Sequence, residues 1–123
     1  DQKSVYASGT LTLTSVVATN TVTINGVTFT AVAAGATGNQ FNVGGTDTIT
    51  AANLAAAINA SVTALIPGYV VATSLATVVT VTSAFPSIGG NQTTIASGQG
   101  TIVASGARLA GGAADPGAKQ YNF

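Results

Sequence analysis

Residues 21–32, TVTINGVTFTAV, leave little freedom in how they fold. Asn25-Gly26 separates two runs in which threonine alternates with an apolar residue. A two-residue type I′ turn needs positive φ at both positions, and Asn-Gly meets that need better than most pairs. With 25 and 26 as the loop, Ile24 faces Val27 and Val22 faces Phe29 on one side of the hairpin. Thr23 then faces Thr28, and Thr21 faces Thr30, on the other. A slip of one residue would turn every apolar side chain to water, so the pattern predicts this register and no other.

The same alternation recurs along the chain. Residues 9–17, GTLTLTSVV, read as a strand with Leu11 and Leu13 on its buried face. Residues 69–83, YVVATSLATVVTVTS, read as a second hairpin whose turn near Leu75 leaves two registers open. A third hairpin is expected from TTIAS and TIVAS, joined by Gly98-Gln99-Gly100. Residues 33–46 form a loop around the short extended piece QFNVGG, and FPSIGGN at 85–91 forms another.

One segment breaks the period of two. TAANLAAAINASVTAL predicts a helix at about 50–65, with Thr50 as its N-cap and Asp47 just upstream near the positive end. Leu54, Ile58, Val62 and Leu65 form its apolar stripe, with Ala51 and Ala55 beside it, while Asn59 and Thr63 fall on the far side. Pro67-Gly68 ends it. The order strand, hairpin, helix, hairpin, hairpin predicts an α+β fold, a mostly antiparallel sheet with one helix packed on it. The domain spans residues 9–112, flanked by short extended arms at 1–8 and 113–123. At roughly 1.5–3 kcal/mol for each buried aliphatic or phenylalanine side chain, about fifteen such positions hold it without metal or disulfide.

The chemistry available is narrow. Only 5% of the residues are charged, against a norm near 25%, and histidine and cysteine are absent. No base exists to activate a serine or threonine except Lys3 and Lys119, both in terminal segments. The three carboxylates, Asp1, Asp47 and Asp115, are far apart in sequence. Metal sites fail on ligand number, apart from a weak calcium site built from carbonyls. SGQGTIVASG is neither a phosphate-binding loop nor a dinucleotide fingerprint. No enzyme and no cofactor are therefore expected. Three basic residues cannot neutralise many phosphates, so no nucleic-acid partner is expected. No apolar run approaches the ~20 residues of a membrane span.

Four smaller signals have plain readings. Asn59-Ala60-Ser61 and Asn91-Gln92-Thr93 match the glycosylation pattern, as a chain rich in threonine and serine does by chance. Asp47 reads as support for the helix start before it reads as a ligand-binding carboxylate. The Thr-x-Thr pieces raise an ice-binding surface, but their irregular spacing fits β-propensity better. The sequence opens at Asp1 without methionine, from which a cleaved leader or a trimmed sequence is expected.

Across TVTINGVTFTAV, TAANLAAAINAS, VVATS with TVVTVTS, and TIVASGARLAGG, about residues 9–112, the chain resembles a module of bacteriophage virion proteins. Its hairpin–helix–hairpin portion is similar to the insertion domains of bacterial flagellins. The resemblance implies a non-enzymatic building block of a large repetitive assembly, a capsid decoration or tail component at the virion surface or tail. Its partners would be copies of itself, as a homo-oligomer, or other virion proteins. Such a module often sits inside a larger chain. The alternative is a secreted subunit of a bacterial or archaeal extracellular filament. A carbohydrate- or surface-binding module is a further alternative that rests on Tyr6, Tyr69 and Tyr121.

Arg108, Asp115 and Lys119, half of the six charged residues, lie in RLAGGAADPGAKQYNF, which ends on Tyr121 and Phe123. These rings are costly to leave in water. The arms, with Tyr6, Arg108, Lys119, Tyr121 and Phe123 as their contact residues, are expected to reach a neighbouring subunit. Deleting residues 113–123 should leave a folded protein that no longer assembles; normal assembly of the truncated chain, followed by sedimentation, would refute the arm.

Overall fold

The computed structural model describes residues 6–61, 70–86 and 93–112. Among them the order is β1 (Tyr6–Leu13), β2 (Thr21–Ile24), β3 (Val27–Val32), β4 (Gln40–Asn42), α1 (Asp47–Ser61), β5 (Val70–Leu75), β6 (Val78–Pro86), β7 (Ile95–Ser97) and β8 (Ile102–Ala104). The fold is α+β, with one helix and mostly antiparallel strands. The strands divide into two sheets, β5-β6-β1-β8 and β4-β3-β2-β7, where a single sheet was expected. Burial alternates along most of the strand residues whose side chains are described. Leu11, Leu13, Val79, Val81 and Ile102 from the first sheet and Val22, Ile24, Phe29, Phe41 and Ile95 from the second share one core. Two sheets, each with one dry face, enclose that core as a sandwich closed by the helix.

The β2–β3 hairpin has the register its sequence dictates, Ile24 opposite Val27 and Val22 opposite Phe29. Asn25 and Gly26 have φ of 51° and 86°, as a type I′ turn requires. On the wet face the Thr23 and Thr28 hydroxyls lie 3.1 Å apart and share a hydrogen bond. The β5–β6 hairpin resolves its open register with Leu75 opposite Val78 around Ala76-Thr77.

Three boundaries differ from expectation. First, β1 starts at Tyr6, so residues 6–8 belong to a strand and not to an arm. Its inward positions there are Ala7 and Gly9, too small to register as a hydrophobic pattern. Gly9 is small of necessity, because a Cβ would stand 2.7 Å from Ile95 Cδ1 and 3.1 Å from Leu109 Cδ2. Second, α1 begins at Asp47 and its N-cap is Thr46, whose Oγ1 accepts from the Ile49 N–H at 3.2 Å. Thr50 is buried inside the first turns, where its hydroxyl accepts from Gly44 N–H at 2.9 Å and donates to the Thr46 carbonyl. TDTIT offers a threonine at every second position, and local sequence does not choose among them. Third, β7 and β8 do not pair with each other: β7 lies beside β2 and β8 beside β1. Alternation identifies a strand but not its partner, and Gln99 decides the outcome. Its amide accepts from Thr21 N–H at 2.9 Å and donates to the Thr21 carbonyl at 3.1 Å, holding the corner against the second sheet.

The apolar stripe of α1 comprises Ala51, Leu54, Ala55 and Ile58, all buried; Val62, Thr63, Leu65 and Pro67-Gly68 lie outside the described residues. Asn59 does not turn away from the sheets as expected. Its Nδ2 donates to the Ala72 carbonyl and its Oδ1 accepts from the Ala72 N–H, both at 2.8 Å, on the free edge of β5. Asn53 donates to the Asn42 carbonyl of β4, the edge of the other sheet, at 3.0 Å. On the opposite side the segment after β8 fills the seam. Ser8 pairs with Ala110, Thr94 with Arg108, and Leu109 between them is buried. Of the four edge strands, β4, β7 and β8 are three residues long, and β5, the longest, is met by Asn59 at Ala72.

Replacing Asn59 by alanine strands both edge groups of Ala72. A loss of about 1–2 kcal/mol is expected in urea unfolding, with the native spectrum retained.

Candidate functional site

Most polar side chains that sequence inspection offers as functional are engaged with the protein's own backbone. Asp47, with Arg108 one of two charged residues in the described part, accepts from Ser15 N–H at 2.9 Å and Val16 N–H at 3.4 Å. Ser15 has φ of 56° and Thr19 of 81°, an unfavourable conformation for residues other than glycine. This loop carries the chain from the first sheet to the second. Asp47 pins its start, and Asn20 pins its end by accepting from Val17 N–H at 3.0 Å. Asn20 also accepts from the Thr101 hydroxyl. Gln40 and Asn42 accept from Thr37 and Ala36 N–H in the loop before β4. No buried side-chain nitrogen or oxygen among the described residues lacks a partner. No group of three metal-ligating side chains occurs among them either.

The expected contact residues are not brought together as a set. Tyr6 stands half-exposed at the start of β1. Arg108 is exposed in the seam beside Thr94. Lys119, Tyr121 and Phe123 lie outside the described residues, as do Tyr69 and Asn91. Ser8 and Ala110 exchange both backbone hydrogen bonds, at 2.9 and 3.0 Å, so the chain leaving Ala110 runs antiparallel to β1 toward Tyr6. Of the three tyrosines only Tyr6 is in the described part, and Phe29 and Phe41 are buried. Asn59, the first glycosylation match, has its amide nitrogen engaged by Ala72.

What the fold does assemble is a face. On the outer side of β5-β6-β1-β8, Leu75 lies opposite Val78, Val78 opposite Thr12, and Thr12 opposite Val103. This row crosses all four strands. The next row is Thr73, Thr80 and Thr10, and the third is Val71, Thr82 and Ser8. Of the six large hydrophobic side chains that are exposed in the described part, four (Tyr6, Val71, Leu75 and Val103) lie here, and Leu75 is 84% exposed. The outer side of the other sheet instead carries Thr21, Thr23, Thr28, Thr30, Gln40 and Asn42. None of these strand residues is charged, and Arg108 is exposed at the rim, two residues before Ala110. The threonines of the first face do align across strands, but leucine and valine interrupt them, so no uniform threonine lattice results.

Sequence inspection missed this face because cross-strand register creates it. Its one local signal is in VVATSLATVV, where β5 and β6 put apolar residues on both sides of the sheet, unlike β2 and β3. In comparison with known proteins, no family model matches the chain and no curated protein matches it.

Asp47 separates a structural carboxylate from a ligand-binding one. Asp47→Ala should lower stability by about 1–3 kcal/mol, since two loop N–H groups lose a charged acceptor. Asp47→Asn, which keeps one acceptor oxygen, should lose less. Unchanged urea midpoints for both variants would release Asp47 from this role.

Proposed function

We propose that the chain is a non-enzymatic structural subunit of a large repetitive assembly, a bacteriophage virion protein of the capsid-decoration or tail type. One observation carries this reading: the described domain engages its carboxylate and most of its amides internally and turns outward a broad uncharged face of threonine, valine and leucine. A site for chemistry needs polar groups held ready for a substrate. A packing surface needs area, shape and no net repulsion, and the formal charge of zero suits many copies at close spacing. The resemblance over residues 9–112 to virion modules supplies the choice of assembly. Tyr6 is the one tyrosine of that reading in the described part, and a single exposed ring is a small platform on which to rest a carbohydrate-binding module.

Electron microscopy of the native particle, with antibody against this chain, tests the proposal. Label on an icosahedral head or a tail is the expected result. Label along a continuous one-component fibre would replace the virion with the extracellular filament, and label on neither would overturn the assembly role.

A further inference from the structure

The outer face of β5-β6-β1-β8 has a property beyond being apolar, which is that it is complementary to itself. Its principal row reads Leu75, Val78, Thr12, Val103 across the four strands. Let a second copy lie face to face, related by a two-fold axis parallel to the strands along the β6–β1 midline. β5 then faces the other copy's β8, and β6 faces its β1. Leu75 meets Val103 and Val78 meets Thr12, while Thr80 meets Thr10 and Thr82 meets Ser8. Apolar groups at both flanks lie over apolar groups, the threonines and Ser8 of the next two rows lie over one another, and at the centre Val78 lies over the β-branched Thr12. An isologous interface demands this kind of match.

We propose that this face is the contact between two copies of the chain, packed as aligned sheets about that two-fold axis. The inference rests on the assembly reading and names the partner at its face. Charge argues for the same occupant. A charged face opposes a like copy of itself, whereas the strand residues of this one carry no charge, and Arg108 at the β8 flank would lie toward the other copy's β5 and not over its own image. Short edges argue for face packing over strand addition: β4, β7 and β8 are three residues long, and Asn59 occupies the backbone of Ala72 in the middle of β5. Size sets the strength. Four strands at about 4.8 Å spacing and five or so residues at about 3.4 Å give a flat footprint of roughly 300–400 Å². A standard stable interface covers about 800 Å² per partner. A single contact is therefore weak, and repetition within an assembly is what makes it persist.

Cysteine cross-linking in the full chain, which has no native cysteine, tests the geometry. Aligned sheets stand about 10 Å apart, beyond the ~7 Å limit for a direct disulfide, so the probe is a short bis-maleimide linker that spans about that gap. The double variant Leu75→Cys/Val103→Cys should give a covalent dimer with it, because the two copies together form two matched pairs. Within one copy the two positions are three strand spacings apart, about 14 Å, on opposite edges of the sheet. Leu75→Cys alone should dimerise far less, and equal trapping of the single variant would overturn the proposed arrangement. In sedimentation at millimolar concentration the unaltered protein should show a monomer–dimer equilibrium. Leu75→Lys should abolish it and Thr28→Lys, on the opposite outer face, should not. A wild type that stays monomeric, or a Thr28→Lys variant as defective as Leu75→Lys, would overturn the inference. Microscopy of the labelled particle would then still report separately on the assembly role.

Discussion

The architecture depends on how α1 is seated. Two four-stranded sheets that share a core present four edges, and each open edge is a row of unmet backbone donors and acceptors. The helix covers two of them at once, with Ala51, Leu54, Ala55 and Ile58 in the core between the sheets. Six residues apart on its length, Asn53 reaches β4 of one sheet and Asn59 reaches β5 of the other. Alanines in the buried stripe let the helix come close enough for asparagine, a short side chain, to reach both strands. Leu109 and the Ser8–Ala110 and Thr94–Arg108 pairs seal the other side.

Seen this way, the scarcity of charge stops being odd. Work that lysine, arginine and glutamate do on other surfaces is done here by amides aimed at the backbone. Gln99 on Thr21 and Asn59 on Ala72 use the same device, a carboxamide offering one donor and one acceptor to one residue's N–H and C=O. The side chain stands in for a neighbouring strand at the point where the true ladder ends. Asp47 is the exception, placed where two adjacent N–H groups converge at the positive end of a helix and an anion is favoured. With polar groups so engaged, the domain's outer faces are left to hydroxyls and aliphatics, and these are what another subunit would meet.

The hairpin at 21–32 was fully legible, register included, because the turn residues and the alternation are local and agree. The buried stripe of α1 was legible for the same reason. The start of the helix was not, since Thr46 and Thr50 are equivalent as caps until Asp47 meets the 14–20 loop. Nor was the beginning of β1, where Ala7 and Gly9 are inward because Ile95 and Leu109 occupy the space above them. The partner of β7 was invisible for a related reason. Ile95 and Ile102 are equally buried whether their strands pair together or separate, and the deciding contact joins residues 21 and 99.

The candidate face was the least legible feature. Leu75, Thr12 and Val103 come from three distant segments, each contributing one side chain to the row. Sequence alone determined the class of fold, the presence of one helix between the hairpins, the pairing of β2 with β3 and the poverty of chemical groups. All of these follow from local periodicity or composition. Only the tertiary structure decided that the strands form two sheets, that the polar side chains are engaged with backbone, and that one outer face aligns an apolar row. Those outcomes depend on register between segments far apart in the chain, where competing arrangements bury the same residues and only their mutual fit separates them.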